Sequence, residues 1–164
     1  MWAARFESAL KSMLSSDGHP TVKRVQTFKE AGFRSKPFGV DLEFVTGGRV
    51  LLQIVRASPP GGDDFSQDER VVEGDILPGV PRPDLSPAGS RLLTRDVKSY
   101  LTALITNSGN SEIRSVKPFG GKPENLGIDV EFHNGAHCYV HFLYTLQNGR
   151  DIGSHPEFIA LEAV

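Results

Sequence analysis

The chain has 164 residues, of which 38% are hydrophobic and 23% charged, the balance of an ordinary folded protein rather than a disordered one. A formal charge of −2 argues against a general nucleic-acid-coating role. No apolar run approaches the ~18 residues of a membrane span, and a single cysteine, Cys138, leaves no internal disulfide framework and fits a reducing compartment.

Phe6, Ala9, Leu10, Met13 and Leu14 recur at three- and four-residue spacing, which predicts a helix stopped by Gly18. Arg5, Glu7 and Lys11 interrupt this apolar pattern, so Met1–Leu14 does not read as a signal peptide. A strand is predicted near Val22–Phe28, then a Gly/Pro-containing connection over Gly32–Gly39. A hairpin follows, Val40–Val45 to Arg49–Arg56. Ala57–Ser90 holds six prolines, five glycines and seven acids against only Arg70 and Arg82. It predicts little regular structure beyond one short strand over Arg70–Ile76. Formal charge is +4 over residues 1–57, −5 over 58–90 and −1 over 91–164. The acidic arm is therefore expected either to lie across the basic first segment or to reach into a neighbouring subunit.

After the arm, Val97, Tyr100, Leu101, Leu104 and Ile105 predict a second helix with Thr94 as its N-cap and Gly109 beyond its end. A strand is expected near Glu112–Val116, and a second hairpin from Ile128–His133 to His137–Tyr144. The tail Asp151–Val164 reads as a short packing strand or another arm.

The two halves resemble each other. Val25–Arg56 laid over Ile113–Tyr144 gives seven identities in 32 positions: Lys29/Lys117, Gly32/Gly120, Gly39/Gly127, Asp41/Asp129, Glu43/Glu131, Phe44/Phe132 and Gly47/Gly135. The fold class expected is α+β, an internal duplication of an α-β-β-β unit giving two antiparallel sheets related by a pseudo-twofold. Its parts are copies over 1–57 and 91–148, the connecting arm over 58–90 and a tail over 149–164. In each hairpin the apolar residues of both strands share a face only if the loop has an odd number of residues. Three-residue loops are therefore expected at Thr46-Gly47-Gly48 and Asn134-Gly135-Ala136. That register places Asp129, Glu131 and His133 beside His141, Tyr139 and His137.

Three functional readings follow. The favoured one is a non-catalytic protein-interaction or assembly component, such as a subunit of a homomeric or viral-type particle. Its partner surface would be the apolar residues left on the otherwise polar sheet face: Val45, Leu51, Val55, Tyr139 and Leu143. The second is a single-stranded nucleic-acid binder using Lys23, Arg24, Lys29, Arg34 and Lys36, interleaved with Phe28, Phe33 and Phe38. The third is a metal site of Asp129, His133, His137 and His141. No Gly-x-Ser-x-Gly elbow, Walker loop or dinucleotide fingerprint is present in the sequence. A non-enzyme without cofactor is expected, partnered by protein or by itself rather than by a membrane, in a cytoplasmic or intracellular assembly. Cys138 falls on the apolar hairpin face and is expected to be a buried, unreactive thiol.

Overall fold

The computed structural model describes residues 1–164. Helix α1 spans Ala3–Asp17 and buries Phe6, Leu10 and Leu14 along one stripe. It ends at Gly18, whose φ of 57° is the left-handed conformation that closes a helix without a Cβ penalty. Helix α2 spans Thr94–Thr106 and buries Val97, Tyr100, Leu101 and Ile105. Leu93, not Thr94, occupies its N-cap position. The Thr94 hydroxyl donates instead to the Leu161 carbonyl at 2.5 Å, tying the helix start to the C-terminal segment.

Six strands accompany the helices: β1 (Val22–Thr27), β2 (Gly39–Phe44), β3 (Arg49–Ala57), β4 (Ile113–Phe119), β5 (Gly127–Phe132) and β6 (His137–Leu146). They correct the expected fold class. A duplicated unit forming two antiparallel sheets is overturned by a single six-stranded antiparallel sheet of order β1-β2-β3-β6-β5-β4. The reason lies in β3 and β6. Two separate three-stranded sheets would leave each of these long strands with an open edge of unpaired backbone groups. Pairing them antiparallel, from Arg49 opposite Leu146 to Ala57 opposite His137, removes both edges.

The hairpin register keeps the expected parity. Val40 faces Leu52 and Leu42 faces Val50, and in the second hairpin Ile128 faces Val140 and Val130 faces Cys138. The turns lie one residue earlier than expected, at Val45-Thr46-Gly47 and His133-Asn134-Gly135, closed by Phe44 and Phe132 amides on the Gly48 and Ala136 carbonyls. Turn chemistry explains the displacement. A three-residue hairpin loop places its last residue in the left-handed region, and Gly47 and Gly135 hold φ of 82° and 84° there.

Both helices pack on one sheet face. Their buried stripes join Val40, Leu42, Phe44, Val50, Leu52, Ile54, Ile128, Val130, Phe132, Cys138, Val140 and Phe142 in one core. A smaller cluster of Phe28, Leu51, Leu143 and Leu146 lies apart from it, with Phe33, Tyr144, Ile152 and Phe158 packed around it. These two clusters occupy opposite faces, because alternate residues of β3 belong to each.

The 58–90 segment contributes no helix or strand. Arg70–Ile76, expected as a short strand, pairs with none; Gly74 donates one amide bond, to Ser111, and no ladder follows. The arm lies on its own chain. Arg5 forks between Glu69 and Glu112, Arg56 pairs with Asp63, and Arg82 pairs with Asp17. Leu85 is fully buried, and its carbonyl accepts the Thr21 hydroxyl at 2.8 Å. The tail closes the far end. Leu92 and Val164 exchange both backbone hydrogen bonds, and the Thr94 amide donates to the Glu162 carbonyl.

Candidate interaction face

The sheet face turned away from the helices is read by following alternate residues across the strands. One row runs Lys117, Asp129, Tyr139, Val55; the next runs Ser115, Glu131, His137, Ala57; the third runs Gly127, His141, Gln53, Gly39. The earlier turn positions change the expected partners: Asp129 stands opposite Tyr139 rather than His141, and Glu131 opposite His137 rather than Tyr139. Polar groups of the upper rows satisfy one another. His137 Nδ1 lies 2.7 Å from Asp129 Oδ1, and the Ser115 hydroxyl donates to Glu131 at 2.9 Å. The imidazole of His137 stacks on the ring of Tyr139 at 11°.

The third row is built differently. A Cβ on Gly39 would lie 2.3 Å from the Phe28 ring, and a Cβ on Gly127 would lie 2.3 Å from the Phe119 ring. Glycine is therefore required at both ends, so that each ring can lie down on the backbone. Between them sit Gln53 and His141, directly opposed. Gln53 Oε1 and His141 Nδ1 are both buried without a hydrogen-bond partner. Phe119 and Phe158 meet the His141 ring edge-to-face. Burial lowers the His141 pKa below the ordinary imidazole value.

The expected partner surface divides in three. Val55, 39% exposed, stands directly opposite Tyr139, and these two share the uncovered part of the face. Leu51 and Leu143 are fully buried beneath the tail and the Phe28–Phe33 segment, so they are not presented to a partner in this state. Val45, 57% exposed, lies in a turn at the end of the sheet.

The expected nucleic-acid cations are scattered and partly neutralised. Lys23 and Arg24 both pair with Glu43, at 2.7 and 2.6 Å. Lys36 pairs with Glu157 at 3.2 Å and lies over the Phe158 ring. Lys29 and Arg34 are exposed. The aromatic rings expected beside them face inward, with Phe28 fully buried and Phe33 and Phe38 packed against the two apolar clusters.

The expected metal ligands do not converge. Asp129 and His137 touch, but His133 sits in the turn against Gly74 of the arm, and His141 lies beneath Phe119 and Phe158. No group of three or more His, Cys, Asp and Glu side chains is placed to hold a metal ion. Cys138 is fully buried on the helix-covered face, and burial pushes its thiol pKa up to about 12.

Sequence reasoning missed Gln53, Phe119 and Phe158. The signal for a cover was present: two leucines, Leu51 and Leu143, on a face otherwise polar require something apolar to shield them, and the tail carries Ile152 and Phe158. No helix is long and apolar enough to cross a membrane. Comparison of the chain with protein-family models gives no match, and comparisons with curated proteins and with solved structures give none either.

Proposed function

We propose that this protein is a non-catalytic interaction and assembly component that associates with further copies of itself through the uncovered part of its sheet. One observation carries the reading. On a face that no helix covers, the two central strands, β3 and β6, set an exposed Val55 directly opposite a half-buried Tyr139. Central strands of a sheet are ordinarily buried on both sides or polar on the open one, so an exposed valine beside a half-buried tyrosine there supports a contact surface. The sheet edges are poor alternatives. Edge strand β1 carries Lys23 and Arg24, while edge strand β4 carries Arg114, Lys117 and Pro118, which block strand addition by charge and by a missing amide. The surrounding charges suit a self-complementary contact: Lys117 and Arg114 lie beside Asp129 and Glu131 on the same face and its rim, so a twofold-related copy can set cation against carboxylate.

Light scattering over a concentration series tests this directly. The wild type is expected to gain mass with concentration, and Val55→Glu is expected to weaken association by about tenfold or more, because it buries a carboxylate at the contact centre. A wild type that stays monomeric at every concentration rejects the reading.

A further inference from the structure

Several unfavourable features of this molecule are gathered in one place. Only two non-glycine residues adopt a positive φ, Asn125 at 56° and Phe158 at 60°. They are bonded to each other, the Asn125 amide donating to the Phe158 carbonyl at 3.1 Å. A large aromatic residue rarely adopts this conformation, so Phe158 is held there by its surroundings. Of the three buried side-chain polar atoms without a partner, Gln53 Oε1 and His141 Nδ1 lie in the row against which Phe158 packs. Each has lost water without gaining a hydrogen bond.

Against these stand a few specific attachments. The Phe158 amide donates to the Leu143 carbonyl at 2.9 Å, and its ring packs on the Phe28, Leu51, Leu143 and Leu146 cluster. Glu157 accepts from Lys36 and from the Tyr144 hydroxyl, both at 3.2 Å. From Gln147 to Glu157 the chain otherwise bonds mainly to itself, through a single 3-10 turn at Ile152–Ser154, and Asn148, Gly149, Arg150 and Asp151 are exposed.

Backbone strain, stranded polar atoms and thin attachment together define the least stable part of a fold. We propose that residues 147–158 form a releasable, autoinhibitory cover: the segment lifts from the sheet as a unit while the six strands stay paired. Lifting it would take Ile152 and Phe158 off Leu51 and Leu143 and open the side of this cluster that Phe28 and Phe33 do not cover. The residues alternate along β3 (51, 53, 55) and β6 (139, 141, 143), so the newly opened surface adjoins Val55 and Tyr139 along the same two strands, and His141 keeps Phe119 but loses Phe158 from its ring. This inference rests on the reading of the sheet as an interaction face, and it explains why half of the apolar residues on that face are masked.

Hydrogen exchange on dilute, monomeric protein tests the cover without requiring association. The Phe158 and Asn125 amides are expected to exchange about 100-fold faster than amides in the centres of β3 and β6. Phe158→Ala is expected to accelerate those two amides, and tryptic cleavage after Arg150, by about tenfold or more, with the central strands unchanged. Equal protection of Phe158 and the central strands overturns the proposal. So does a variant in which all amides accelerate alike, because the segment would then belong to the global unfolding unit. If Phe158→Ala does not fold, the wild-type exchange pattern still decides. Light scattering separates the two claims: a wild type that associates through Val55, paired with an opened variant that associates no more strongly, rejects autoinhibition and leaves the face intact.

Discussion

His141 is the residue at which local chemistry has the clearest consequence. Burial disfavours the charged form of its ring, so the folded chain binds a proton there less readily than the unfolded chain does. With the folded pKa below the unfolded one, stability is full above the ordinary imidazole range. It declines as pH falls from that range towards the lowered folded value, because protonation then favours the unfolded state. Thermal melts between pH 7.5 and 5.5 are expected to show lower stability at the acid end. His141→Gln is expected to flatten that part of the dependence. An unchanged slope in the variant would show that His141 is not the group responsible. Asp63 acts in a lower window. Its hydrogen bonds from Arg56 and Ser58 lower its pKa to about 2, so the stability it lends is present above the ordinary carboxylate range and is lost as pH falls through that range towards 2.

The 58–90 arm shows how a segment with no helix or strand can still be structural. Its charges bond to Arg5 and Arg56, but its deepest attachment is Leu85, which is fully buried in the main core between the two helical halves of the chain. Leu85→Ala is expected to destabilise the fold by about 2–5 kcal/mol, the range for emptying a core leucine site. Urea unfolding measures it, and a loss well under 1 kcal/mol would show that the arm packs loosely there.

The elements also show what was readable from the residues alone. The helices and hairpins were legible because their apolar periods, every three to four residues and every second residue, are local. Hairpin parity was legible because Leu42 and Leu52 both need burial. The one-residue shift of the turns follows from Gly47 and Gly135 needing the last loop position, a demand that parity alone does not express. The pairing of β3 with β6 was not legible, because Val50, Leu52, Val140 and Phe142 are buried equally well in one sheet or in two. Nor could sequence show Phe158 lying on His141, a contact made by a tail that crosses the sheet. Of the expected partner residues, Val55 and Tyr139 lie on the uncovered part of the sheet face, where they were expected as apolar residues on a polar face. Leu51 and Leu143 satisfy the same rule and are nevertheless covered.

For the whole molecule, one sheet means one cooperative unit. The 1–57 segment ends in β3, whose partner β6 lies in the other half of the chain. A fragment of residues 1–57 is therefore expected to be largely unfolded, with an open edge and half a core. The intact chain is expected to unfold in a single transition whether followed by far-UV circular dichroism or by calorimetry. A fragment with a native-like spectrum and its own melting transition would show that the halves are autonomous.

That same junction sets the order of events during synthesis. β3 leaves the ribosome about 80 residues before β6, an interval of several seconds at translation speeds of roughly 5–20 residues per second. Throughout that time the strand that will become the middle of the sheet is a bare hydrophobic rim. Nascent chains must be kept apart until the second half arrives, and polysomes, where several incomplete chains with β3 emerged and β6 not yet made stand close together, are where mispairing of this protein would begin.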